Sequence, residues 1–151
     1  NNTFKNIGLV IAGTGNLENE LKDKVAELGL NDKVKFLGYS NEISKWMACS
    51  DVVAVTSISE GFGVVFLEAF NAKTPVVSFD VPSGNELMTH DKTGYLATPY
   101  DVKDLASKIE YVLTNKEQAD KAANESYSRL KNYFNMDRMS NEMIQFYKSV
   151  L

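Results

Sequence analysis

The chain reads as an α/β protein of the Rossmann-like, doubly wound class, built on a parallel sheet. Three observations predict this. Short apolar runs at 7–12, 34–37, 52–55, 74–79 and 94–97 alternate with stretches whose apolar residues recur at helical spacing. Several of these runs are continuously apolar, as strands buried on both faces of a parallel sheet require. Glycine turns, Gly13-Thr14-Gly15 and Gly61-Phe62-Gly63, stand where strand should give way to helix.

The first strand, 7–12, is broken only by Gly8, and Gly13-Thr14-Gly15 turns the chain out of it. Glu18 stands where a third glycine would complete a dinucleotide fingerprint, so this turn reads mainly as a tight strand-to-helix connection. Asn16 is placed to cap the following helix. Leu17, Leu21, Val25 and Leu28 form its apolar stripe, and Gly29 is its stop. The second strand, 34–37, leaves through Gly38-Tyr39-Ser40, where Ser40 can cap a helix with apolar positions Ile43, Trp46 and Met47. The single cysteine, Cys49, has no partner for an internal disulfide, and its place beside Trp46 and Met47 predicts a buried, inert thiol.

The third strand, 52–55, delivers the chain to the second glycine turn. The helix beyond that turn should end near Lys73, and Pro75 is tolerated at the start of the fourth strand. Residues 81–86 form a loop with room for a helical turn, and 94–97 a short edge strand. His90, the one histidine, lies in the polar stretch Thr89-His90-Asp91-Lys92 and reads as a surface residue rather than a base. Asp101 caps a helix whose stripe of Val102, Leu105, Ala106, Ile109, Val112 and Leu113 belongs to the core. From Lys116 the chain is helical and polar, closing on the stripe Met139, Met143, Tyr147 and Val150.

Composition narrows the function. A chain of 151 residues with 44% hydrophobic residues can hold one real core. A net charge of -4 argues against a nucleic-acid footprint. No run approaches the ~18 apolar residues of a membrane span, and no signal peptide opens the chain. A cytoplasmic, reducing setting is expected. The paired ligands of a zinc site and the Gly-Lys-Ser/Thr of a phosphate loop are both missing from the sequence.

Chemistry concentrates at 59–70. Glu60 and Glu68, with seven residues between them, bracket Gly61-Phe62-Gly63 and the start of a helix. Val64, Val65, Phe66, Leu67, Ala69 and Phe70 make that helix apolar on every face, so Glu68 is out of place in it. A carboxylate there needs a protein partner or a ligand's donors. A strand that opens a helix through glycines aims unpaired N–H groups and the positive dipole end at one spot, which suits phosphate. Gly61 and Gly63 let a ligand approach the backbone closely. Glu60 would stand at the mouth of the turn and Glu68 about 7–8 Å further along the helix axis.

The spacing Glu60-x7-Glu68 with Gly61-Phe62-Gly63 and Val64, followed by Ala69-Phe70 and Thr74-Pro75-Val76-Val77, resembles the donor-binding half of retaining glycosyltransferases of the GT-B fold, family 4 (glycosyl transferases group 1). Val10-Ile11-Ala12-Gly13-Thr14-Gly15, Val34-Lys35-Phe36-Leu37-Gly38-Tyr39, Ser50-Asp51-Val52, Ser83-Gly84-Asn85-Glu86 and Gly94-Tyr95-Leu96 extend the likeness over nearly the whole chain. The resemblance implies the C-terminal half of a GT-B fold. Residues 1–135 would be the nucleotide-sugar donor domain without its first strand–helix unit, and 136–151 the crossover helix that braces the other domain. It also implies an enzyme that moves a hexose-type sugar from a nucleoside-diphosphate sugar to an acceptor hydroxyl with retention. Capsule, lipopolysaccharide or other glycan synthesis is the implied setting, in the cytoplasm or at the inner face of the membrane.

By the same likeness Glu60 holds the donor sugar's hydroxyls and counts as the catalytic position. Glu68 accepts hydrogen bonds from the ribose, and the backbone at Gly61, Phe62, Gly63 and Val64 faces the diphosphate. Tyr39 and Ser40 are candidates for the base edge, with Lys45 a weaker one, and Ser83 and Gly84 face the donor crevice. The family often has two glycines and a proline near Ser83, so this loop departs from the common form. No metal cofactor is implied. The family's Arg and Lys clamp on the diphosphate has no counterpart in Asn1 to Lys5, and Lys5 is not assigned to it. The acceptor, a glycan or a lipid-linked sugar, would bind through an N-terminal domain, so this piece alone should be catalytically silent. Two alternatives stand beside this reading, a GT-B nucleotide-sugar 2-epimerase and a non-enzymatic flavodoxin-like domain. For the second, Asp51 precedes its strand and no acidic pair follows Ile11.

Overall fold

A computed structural model describes residues 6–151, so Lys5 and the residues before it lie outside the description. The chain divides into two compact units, one running up to Ile43 and the other from Ser44 onward. Among the described residues all strand pairing is parallel, and it falls into two sheets.

The first unit is a βαβ turn of chain. Strand β1 (Leu9–Ala12) pairs with β2 (Val34–Gly38) in register Leu9 to Val34, and α1 (Glu18–Glu27) connects them. Asn16 does not cap α1. Leu17 occupies that position with no side-chain hydrogen bond, because the first helical bond runs from Leu21 N–H to the Leu17 carbonyl. Gly29 does end the helix, in the left-handed region at φ 66°. The stripe Leu17, Leu21 and Leu28 is exposed within this unit, since two strands offer too little surface to cover a helix.

The second unit holds the core. Helix α2 (Ile43–Ala48) leads to β3 (Val53–Val55), and α3 (Val64–Asn71) follows the glycine turn. Then come β4 (Val76–Phe79), the short α4 (Pro82–Leu87) and β5 (Tyr95–Ala97). Three helices close the chain: α5 (Val102–Thr114), α6 (Lys116–Tyr133) and α7 (Met136–Val150). Strand β4 lies between β3 and β5, and all four of its residues are buried, which is why its sequence is apolar without alternation. Val77, Phe79, Tyr95, Leu105, Val112 and Ala122 pack into one cluster where α5 and α6 cover the sheet.

Side chains fix the joints. Asp101 caps α5 by accepting from the N–H groups of Lys103 and Asp104. Asp104 in turn accepts from Thr98 N–H at 2.7 Å and Thr98 Oγ1 at 2.8 Å, tying the first turn of α5 to the loop after β5. These bonds, the backbone one foremost, hold the Asp104 carboxyl below the ordinary aspartate range. Buried Thr74 donates to the Met47 carbonyl at 2.7 Å, joining the start of β4 to α2. Cys49 is exposed, contrary to the sequence reading. It follows the end of α2, and two residues beyond buried Met47 the helix has turned by about 200°. The stripe Met139, Met143, Tyr147 and Val150 is also exposed, and no residue of α7 is buried.

Candidate functional site

The glycine turn forms as the sequence predicts. Gly63 sits at the N-cap of α3 with φ 79°, a left-handed conformation that side chains rarely adopt. Its Cα is also crowded: a Cβ there would lie 2.7 Å from Phe66 Cδ2 and 3.3 Å from Leu87 Cδ1. Position 63 must therefore be glycine on two grounds, and the contact with Leu87 sets the elbow directly beside α4. No side chain caps α3, so its first-turn N–H groups face the elbow with the positive end of the helix dipole. Gly61, with nothing within 4 Å of a notional Cβ, keeps the approach open.

Glu60 is exposed at the mouth of this elbow, and no described residue makes a hydrogen bond or ion pair with its carboxylate. Val64 and Phe62 are also exposed, 59% and 54% respectively, although both are apolar. Glu68 is half-buried on α3 and its carboxylate too has no protein partner among the described residues. It lines an open surface pocket of about 390 Å³ with Ser44, Leu67 and Asn71, and with Leu130, Lys131, Phe134 and Asn135. A half-buried carboxylate facing a pocket without a partner is a ready acceptor for a ligand's hydroxyls, since both oxygens accept.

Besides Ser44 and Asn71, four of those lining residues, Leu130, Lys131, Phe134 and Asn135, were not singled out from sequence. They sit where α6 ends and α7 begins, more than 60 residues beyond Glu68. The local signal for that junction was Asn135, whose Oδ1 accepts from Arg138 N–H at 2.8 Å and caps α7. Phe134 meets Phe62 edge-on with ring centroids 6.4 Å apart, so this corner also touches the elbow.

Ser83 and Gly84 lie in the first turn of α4, behind Pro82. Gly84 is buried, and a Cβ there would approach the Phe79 carbonyl to 2.8 Å, so close packing of α4 on β4 accounts for the missing side chain. Ser83 Oγ is buried and has no partner among the described residues, an unmet polar group that costs stability unless a ligand meets it. Tyr39 and Ser40 belong to the first unit. There Tyr39 is 81% exposed and Ser40 Oγ accepts from Glu42 N–H at 3.1 Å, a turn that leads into α2. Lys45 has an interaction partner. His90 Nδ1 accepts from Leu96 N–H at 2.9 Å, a structural bond on the surface.

Among the described residues there is no group of His, Cys, Asp and Glu side chains arranged to hold a metal ion. No described helix is long and apolar enough to cross a membrane.

The profile of the family described as glycosyl transferases group 1 matches residues 1–129. A glycosyltransferase of Methanocaldococcus jannaschii is 32% identical over 95% of this chain and 37% of its own length. The lipopolysaccharide core biosynthesis mannosyltransferase LpsB of Rhizobium meliloti is 27% identical over 95% of this chain and 43% of its own. Among solved structures, Anabaena HepE in complex with UDP superposes with a TM-score of 0.87 at 28% identity, covering 95% of this chain and 41% of HepE. The same protein has also been solved with UDP-glucose. The chain thus spans less than half the length of the relatives it matches.

Proposed function

This chain belongs to the glycosyl transferases group 1 family, and from that membership we propose that it forms the nucleotide-sugar side of a retaining hexosyltransferase. The observation that carries the reading is Glu68, a carboxylate without a partner among the described residues, lining an open pocket whose Phe134 also touches the uncapped glycine elbow. The UDP and UDP-glucose complexes of HepE support the ligand class.

In this reading the diphosphate lies against the N-terminus of α3, where the N–H groups after Gly63 and the helix dipole meet its charge. As the glycosidic bond breaks, negative charge grows on the leaving phosphate, and preorganised donors stabilise it without reorganising. Glu68 accepts from the ribose hydroxyls. Glu60 accepts from the sugar's hydroxyls and fixes its orientation for attack by the acceptor. The buried Ser83 Oγ supplies a further contact to the sugar side. Neither carboxylate acts as a nucleophile, and the reaction needs no metal. The acceptor, a glycan or lipid-linked sugar, binds elsewhere in the full-length polypeptide. The exposed face of α7 packs there against the acceptor-binding part.

The test is calorimetry of UDP, UDP-glucose, GDP-mannose and ADP-glucose against the full-length polypeptide. Saturable binding of one nucleotide and of its sugar supports the reading. No heat and no protection from thermal unfolding by any of them at millimolar concentration refutes it.

A further inference from the structure

The corner between α6 and α7 touches two segments that the donor reading sets against adjoining parts of the ligand, α4 against the sugar and the elbow against the diphosphate. Arg129, half-buried near the end of α6, donates from Nη2 to the Glu86 carbonyl at 3.3 Å. That carbonyl lies in the last turn of α4, where helix carbonyls lack intrahelical partners and a cation complements the dipole. The same guanidinium lies within cation–π range of both rings of the corner, with Cζ 5.4 Å from the Tyr133 ring centroid and 5.6 Å from that of Phe134. Phe134 then meets Phe62 in the middle of the elbow. A continuous line of contacts therefore runs from Glu86 through Arg129 and Phe134 to Phe62. At one end it holds the short helix that carries Ser83, and at the other the Gly61-Phe62-Gly63 elbow that faces the diphosphate.

Two features separate this role from plain structural support. Arg129 Nε is buried with no partner among the described residues, so the side chain gives up part of its stabilising worth in taking this position. And reaching two rings and a helix carbonyl at once suits a broad guanidinium with several donors, where a lysine ammonium is a single point charge. We propose that Arg129 is a positioning residue for sugar transfer. It locks α4 to the glycine elbow, so the sugar and the diphosphate of the donor are held in one fixed geometry. Arg129 itself makes no contact with the donor, and the assignment rests on the donor-site reading above.

The experiment compares full-length wild type, R129K and R129A, each labelled with ¹⁵N-glycine. Without ligand, both variants should shift the amide signals of Gly84 on α4 and of Gly61 and Gly63 in the elbow, leaving Gly29 unmoved. Movement at one segment only, or at neither, overturns the coupling whatever the ligand turns out to be. With UDP-glucose, kcat should fall about 10- to 100-fold in both variants while UDP affinity changes less than about threefold. The melting temperature should move by no more than about 4 °C. Full rescue of kcat by lysine would overturn the proposal, as would a parallel loss of kcat, UDP affinity and thermal stability. A wild type that neither binds UDP nor turns over UDP-glucose defeats the UDP-donor reading alone, and the glycine signals still decide the coupling.

Discussion

Replacing Gly63 by alanine tests the elbow where its geometry is most constrained. At φ 79° an alanine is in left-handed backbone, which costs about 1–2 kcal/mol. Its methyl would also stand 2.7 Å and 3.0 Å from two carbons of the Phe66 ring and 3.3 Å from Leu87. Phe66 is 1% exposed and Leu87 2%, so neither can swing into solvent to make room. Forcing a methyl into such a packed place costs a further ~1–3 kcal/mol. The sum is about 2–5 kcal/mol, read as a shift of the urea midpoint at unchanged slope. Gly61→Ala is the control in the same turn. Its Cβ meets nothing within 4 Å, so it should cost less than ~1 kcal/mol. Equal effects at the two positions, or a Gly63→Ala loss below ~1 kcal/mol, would refute the reasoning about the elbow.

Glu60→Ala in the full-length polypeptide should cut turnover by at least about 100-fold while UDP affinity stays within about threefold, because it touches the sugar and not the nucleotide. A loss confined to UDP affinity would reverse the roles of the two carboxylates. Asp104→Asn should flatten the acid side of the stability–pH curve. The Asp104 carboxyl titrates lower in the folded chain than in the unfolded one, so its contribution is present above the ordinary aspartate value and is lost as pH falls through the folded value. Denaturation midpoints of wild type and variant between pH 7 and pH 3 check this. Curves that stay parallel down to the acid limit would contradict it.

How far the sequence could be read followed how local each cause was. The Gly61-Phe62-Gly63 turn, the Gly29 stop and the Asp101 cap depend on residues adjacent in the chain, and all three form as expected. The burial of β4 was legible because its run is apolar without alternation. Cys49 was misjudged because apolar neighbours in sequence need not share its side of a helix. Asn16 was a cap one residue too early, a difference set by where the first helical bond closes. The residues that complete the pocket around Glu68 come from the α6–α7 corner. Nothing near Glu68 in sequence points to Lys131 or Asn135, because only the packing of α6 over α3 brings them together. Gly84 shows the opposite case, a residue taken for its place in a donor loop whose missing side chain packing alone explains.

The most direct test of the central claim is the UDP affinity of Glu68→Ala in the full-length polypeptide, measured beside its melting temperature. If the carboxylate waits for ribose hydroxyls, losing two charge-assisted hydrogen bonds weakens UDP by about 10- to 100-fold or more. The melting temperature should hold or rise, since no partner among the described residues is lost. Unchanged UDP affinity with a marked fall in melting temperature would make Glu68 a structural residue and contradict the donor site.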